Sequence, residues 1–205
     1  MRSNRTFKMV VIANLAAISL LLYMLGSLDI FGFPMAPFLK FQFSNVPAII
    51  GGFLFGPGAG VIVLVARTII RLPFTSTAGV GELADLVIGI ATVVVSATIY
   101  QKYHNKKGAI LASVWGSVAW IVVAVAANWA FLLRAYVFFF FNGNVQPLLG
   151  MIRLSNITED NYLWMFSLYI GVPFNLLLSA MVYGVTFLVY KRISELMKSL
   201  REQFE

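Results

Sequence analysis

The chain has no cysteine, a single histidine, and charge on only 11% of its 205 residues. Without cysteine there is no disulfide framework, no thiolate metal site and no cysteine nucleophile. His104 lies in a polar segment without a cluster of other ligands, so a solvated side chain is expected and no metal site is assigned. Walker, zinc and nucleophile-elbow motifs are also missing, which leaves no catalytic residues to assign. The chain is therefore not read as an enzyme, and any ATP it depended on would be hydrolysed by other polypeptides. Soluble domains carry about 25% charged residues. With less than half of that, this chain cannot coat a water-soluble fold of its size.

What it has instead is apolar residue in long runs, 60% of the total. Runs of this length predict an all-α integral membrane protein, because only helices and closed barrels satisfy their own backbone in lipid. We expect one membrane domain over 1–205 with six transmembrane helices, at about 9–28, 45–55, 59–72, 81–101, 108–133 and 162–190. The first is charge-free behind Arg2, Arg5 and Lys8; it is too long for a signal-peptide core and lacks a small-residue cleavage site. Pro34 and Pro37 make 31–43 an extended or looped segment. The helices at 45–55 and 59–72 are shorter than the roughly 20 residues of a full span and join at a tight Gly56-Pro57-Gly58 turn. Residues 134–161 read as a long loop whose Tyr136–Phe141 stretch dips into the interface, and 191–205 as a solvated helix end.

The formal charge of +7 gives the orientation. Six spans put both termini on one side with ten basic and three acidic residues, while the other side holds five of each. The whole excess then lies on one face, which the positive-inside rule makes cytoplasmic. Merging the two short helices would move Lys102, Lys106 and Lys107 to the outside, so the charge pattern prefers six. The excess is read as an orientation signal in a lipid bilayer, with no nucleic-acid partner.

Polar residues near the outer ends mark a candidate site, since polar groups at membrane depth need partners. Lys40 stands among Phe31, Phe33, Phe38, Phe41 and Phe43, an arrangement suited to covering a planar ligand. Glu82 and Asp85 share a face at the start of the fourth helix, where capping or pairing with Arg67 and Arg71 would also explain them. Asn128 and Asn175 are amides on apolar helices, available either for ligand or for interhelical bonding. Ala13 and Ala17, one turn apart, and Gly52, Gly56 and Gly60 allow close helix approach, within the chain or against another subunit.

Three stretches carry a resemblance to a known family. Residues 38–57 (FLKFQFSNVPAIIGGFLFGP) resemble the first loop and second helix of the riboflavin-specific S components of energy-coupling factor transporters. Residues 75–85 (TSTAGVGELAD) are similar to that family's approach to helix four, and 173–177 (PFNLL) to its helix-six motif. The Ala13-x-x-x-Ala17 pair matches its small-residue motif on helix one. The resemblance implies the S-component fold in a bacterial cell membrane, with riboflavin bound as transported substrate and no cofactor. It also implies a separate transmembrane coupling subunit and two ATPase subunits as partners. The binding positions it implies are Leu39, Lys40, Phe41, Ala78, Gly79, Glu82, Asn128 and Asn175, to which the residue pattern adds Phe43 and Asp85; Ala13 and Ala17 would face the coupling subunit. Gln42 and Asn45 stand where the family often has an acid, and Leu178 where it usually has a lysine. A related flavin such as FMN, or another vitamin, is the alternative cargo.

Overall fold

The computed structural model describes residues 2–204, with side-chain surroundings from 5 to 190 and at 192. Helix α1 (Arg2–Gly26) leads through a short 3-10 turn into an antiparallel hairpin, β1 (Gly32–Phe33) and β2 (Ala36–Lys40). The prolines thus sit in a two-stranded hairpin, where a missing backbone donor is tolerated at an edge. Helices α2 (Asn45–Phe55) and α3 (Pro57–Arg71) follow, then α4 (Val80–Tyr103) and α5 (Lys106–Ala127). A π turn at Asn128–Leu132 joins α5 to α6 (Leu133–Phe141). After α7 (Gln146–Met151), α8 (Tyr162–Phe166) passes through a second π turn at Ser167–Gly171 into α9 (Val172–Phe204).

Among the described residues, five helical stretches are long and apolar enough to cross a membrane: Arg5–Gly26, Pro57–Phe74, Val80–Tyr103, Lys106–Phe141 and Tyr162–Tyr190. Their outward faces carry exposed Ile18, Ile62, Val94, Val118, Leu168 and Leu188. Apolar side chains turned outward in this number suit a lipid solvent. The chain is a multi-pass membrane protein of the all-α class.

The shorter α2 is the centre of the bundle. Asn45 to Phe53 are all buried, against α1, α3, α4 and α9. Gly56, at φ 92°, reverses the chain, so α2 and α3 lie antiparallel rather than forming one kinked helix. Glycine permits the close packing: a Cβ on Gly60 of α3 would lie 2.4 Å from the Ala48 carbonyl of α2, and one on Gly52 of α2 2.9 Å from the Ala97 methyl of α4. The close contact of these two glycines is internal packing.

One end of the bundle gathers the turn at Gly56 with Lys8, whose Nζ donates to the Phe55 carbonyl at 3.3 Å. Tyr100 stacks on Phe53 at that end and donates to the Tyr190 hydroxyl at 3.0 Å. At the opposite end a second, smaller core forms from Ala36, Leu133, Val137, Leu148, Ile152, Phe166 and Ile170. The hairpin and α6 to α8 are therefore one cap, tied also by the Arg153 amide to the Met35 carbonyl at 2.9 Å.

The segment expected as a loop from Arg134 is corrected: helix continues to Phe141. Nothing in 128–141 breaks a helix, and Leu133 and Val137, one turn apart, bury on the cap. The stop comes at Asn142 and Gly143, both at positive φ. At the C-terminus helix runs on to Phe204; Arg192 is exposed, and the rest of the tail expected to be solvated has side chains outside the described residues.

Candidate ligand-binding cavity

Between the main core and the cap lies a cavity of about 260 Å³. It is near the lower edge of the ~300–1,000 Å³ usual for small-molecule sites. Its aromatic wall comes from Phe38, Trp120, Tyr136, Phe166 and Phe174, with Leu178 on α9. Phe38 lies near-parallel between Tyr136 and Phe166, 5.7 Å from each ring centre. Tyr23, Gln42, Arg71, Thr77, Glu82 and Asp85 line the other side.

Asn128 and Asn175 both reach the cavity. Asn175 is buried; its Oδ1 accepts from Trp120 Nε1 at 2.9 Å and its Nδ2 donates to the Gly171 carbonyl at 2.7 Å. The interhelical explanation for this amide is therefore realised, and it also fixes the amide at the wall. Asn128 begins the first π turn and lies beside Gly171 in the second. A π turn widens the backbone by one residue, and single π turns often accompany functional sites. Here two face each other, the first lining the cavity through Asn128 and Leu132 and the second lying between the lining residues Phe166 and Phe174.

Glu82 is held by threonines. Both Thr75 Oγ1 and Thr77 Oγ1 donate to its Oε2 at 2.7 Å. The same oxygens accept backbone amides of Thr77, Gly79 and Gly81 at 3.0–3.1 Å, which shapes the approach to α4. Ala78 and Gly79 both have positive φ there. Lys40 Nζ pairs with Asp29 at 2.7 Å and also donates to the Ser27 carbonyl. Its hydrogen bond holds the Asp29 carboxyl below the usual aspartate range.

Asp85 pairs with Arg67, which is fully buried and also donates to Asn45 Oδ1 at 3.0 Å and Ser19 Oγ at 3.3 Å. The pairing explanation thus holds for Asp85, and Arg67 is a structural strut behind the cavity. Arg67 and Arg71 both lie against the Tyr23 ring, 5.3 and 5.5 Å from its centre.

Of the ten positions expected at the site, Leu39, Lys40, Glu82, Asp85, Asn128 and Asn175 line the cavity. Phe41, Phe43, Ala78 and Gly79 lie outside its lining. Phe41 packs with Phe33 on Phe174, forming part of the wall's support rather than its surface. Tyr23, Trp120, Tyr136 and Phe166 were not among the expected residues. A signal existed for one: Trp120, Ala124, Asn128 and Leu132 recur every four residues, so one face of the helix carries all of them to the cavity. Ala13 and Ala17 are exposed, on the face of α1 opposite buried Leu15 and Ser19. Among the described residues no cluster of acids and histidine could hold a metal.

Comparison with known proteins fits this geometry. The riboflavin transporter RibU of Staphylococcus aureus (strain TCH60) is 25% identical over 98% of this chain and its own full length. The riboflavin transporter RibU of Lactococcus lactis subsp. cremoris (strain NZ9000) is 31% identical over 92% of this chain and 95% of its own. The riboflavin transporter FmnP of Bacillus subtilis (strain 168) is 32% identical over 64% of this chain and 70% of its own. A solved structure described as the S component of a bacterial ECF transporter superposes with a TM-score of 0.72 at 24% identity, over 95% of this chain and 99% of that one. The family model for the substrate-specific component of ECF transporters matches residues 7–190, and with that match the chain belongs to this family of membrane transport subunits.

Proposed function

We propose that the protein is the riboflavin-binding subunit of an ECF transporter in a bacterial cell membrane. The observation that carries this reading is the cavity itself: stacked aromatic walls with two amides at their edge, Asn175 held by Trp120 and Asn128 lining the wall, at the end of the bundle away from the basic termini. A tricyclic ring buries its faces on aromatic walls, and amides read its carbonyls and nitrogens. Relatives named as riboflavin transporters support the same cargo.

In this reading Leu39, Lys40, Glu82, Asp85, Asn128 and Asn175 surround the vitamin, with Phe41, Phe43, Ala78 and Gly79 shaping the loop and the helix start behind them. Both termini are cytoplasmic, the cavity opens outward, and the cap closes over the bound flavin. Ala13 and Ala17 meet a transmembrane coupling subunit, whose two ATPase partners supply the energy for inward release. Small exposed side chains at this spacing let another helix approach closely.

Protein purified in detergent should carry flavin absorbance or quench added riboflavin fluorescence at stoichiometric ratio. Colourless protein that leaves riboflavin fluorescence unchanged overturns the assignment.

A further inference from the structure

Arg71 is a buried guanidinium that makes no ion pair among the described residues. Only 8% of the residue is exposed, and it lines the cavity. One nitrogen, Nη1, donates to the Phe74 carbonyl, and the Tyr23 ring lies against its face. Its Nε is buried without a hydrogen-bond partner. The neighbouring Arg67 also has an unpartnered Nε, but its terminal nitrogens reach Asp85, Asn45 and Ser19. Among the described residues no carboxylate is paired with Arg71. A buried charge without such compensation is expensive, and something that accepts hydrogen bonds is expected to complete it.

The groups beside it define what that something is. Glu82, also buried and on the cavity wall, is a fixed acceptor held by Thr75 and Thr77. Gln42 lines the same cavity, with its Oε1 buried and unpartnered. A donor and an acceptor of opposite charge at one pole match a hydroxyl, which accepts from the guanidinium and donates to the carboxylate. A phosphate monoester does not match: it carries a charge of about −1.5 to −2 and can no longer donate to Glu82 when fully ionised. In a low-dielectric site its repulsion by that carboxylate is strong, and one guanidinium cannot neutralise both.

We infer that Arg71 contacts the polyol chain of the flavin and, together with Glu82, sets a preference for the free hydroxyl form over the phosphorylated one. This rests on the riboflavin reading above. The ring lies on the aromatic side, near Asn128 and Asn175, and the flexible chain extends to the Arg71 pole.

The test measures fluorescence quenching of riboflavin, of lumiflavin (the same ring with a methyl in place of the chain) and of FMN by the full chain in detergent. Wild-type protein should bind riboflavin at least about tenfold more tightly than either, the scale of one charge-assisted hydrogen bond. Arg71→Met should weaken riboflavin at least about tenfold and lumiflavin less than about threefold, with Arg71→Lys intermediate. Equal losses for riboflavin and lumiflavin in both variants, no loss for either, or FMN binding as tightly as riboflavin to the wild type overturns the inference. Should Arg71→Met not fold, Arg71→Lys and the wild-type ligand series decide. Wild-type protein that binds none of the three flavins removes the riboflavin reading itself, before any variant is compared.

Discussion

Trp120 donates its indole N–H to the side-chain oxygen of Asn175 at 2.9 Å, so the amide on α9 is aimed by a residue on α5. The other end of the amide is anchored on Gly171, inside a π turn. A side chain fixed at both ends loses little rotamer freedom when a ligand arrives, which favours affinity. Trp120→Phe keeps most of the ring volume but leaves Asn175 Oδ1 without its donor. The expected cost is about 1–3 kcal/mol of stability, together with weaker riboflavin binding. Thermal unfolding in detergent, with and without riboflavin, measures both; an unchanged midpoint and affinity would remove Trp120 from this role.

The pair of Arg67 and Asp85 is predicted to be strongly coupled. Removing one partner leaves the other charge in the bundle and should cost about 3–5 kcal/mol, whereas replacing both with apolar groups costs much less than the sum. A double-mutant cycle on Arg67→Met and Asp85→Leu, read by unfolding, checks this. Additive losses would mean that Asn45 and Ser19, not Asp85, satisfy the guanidinium.

Three glycines near one turn should respond differently to alanine. At Gly60 the added methyl would lie 2.4 Å from the Ala48 carbonyl and 2.5 Å from Val93, so α2 and α3 must separate. Overpacking of this kind costs about 1–3 kcal/mol. Gly56→Ala meets no atom within 4 Å but is strained by a φ of 92°. Gly58 also has open space and lies in the first turn of α3, so Gly58→Ala should be neutral or stabilising by up to about 1 kcal/mol. The order of melting temperatures, Gly58→Ala at or above wild type and Gly60→Ala lowest, is the observable.

Much of this architecture was legible in composition and breakers. The uncharged runs located the long helices, and Gly56 with Pro57 marked a turn that the packing of Gly60 on Ala48 makes antiparallel. What escaped was structure without a residue signature. The two π turns arise from backbone register, and no residue type in Asn128–Leu132 or Ser167–Gly171 announces them. Arg134 looked like the start of a loop because a charge ended an apolar run, yet a single charge at a helix end does not break a helix. The sequence singled out the phenylalanines of the first loop as a group but not individually. Only the fold decides that Phe38 stacks within the cavity wall while Phe33 and Phe41 support it from behind on Phe174. Likewise the sequence offered Arg67 and Arg71 as equivalent neighbours of the acids, and the fold separated them: both are buried, but only Arg67 forms an ion pair among the described residues.

The Lys40–Asp29 contact gives the last prediction, which concerns pH. Asp29 is fully solvent-exposed, and its carboxyl is held below the usual aspartate range by the hydrogen bond from Lys40. A carboxyl with a lowered pKa in the folded state contributes above its unfolded value and loses that contribution as pH falls through the lowered one. The contact should therefore be intact and indifferent to pH from about 5 to 8, and weaken only below about pH 4. Because Lys40 Nζ also donates to the Ser27 carbonyl, the lysine stays at the cavity when the carboxyl is neutralised. Asp29→Asn should accordingly leave riboflavin affinity at pH 7 within about threefold of wild type, as expected for an exposed ion pair screened by water and salt. Lys40→Met removes both contacts and loosens the hairpin over the cavity, so its riboflavin dissociation rate should rise by about tenfold or more. Stopped-flow dissociation at pH 7 and pH 5 separates the two variants. A large loss in Asp29→Asn would make the exposed carboxylate rather than the Ser27 carbonyl the anchor of Lys40, and a wild-type rate that changes between those pH values would place the titrating group elsewhere than Asp29.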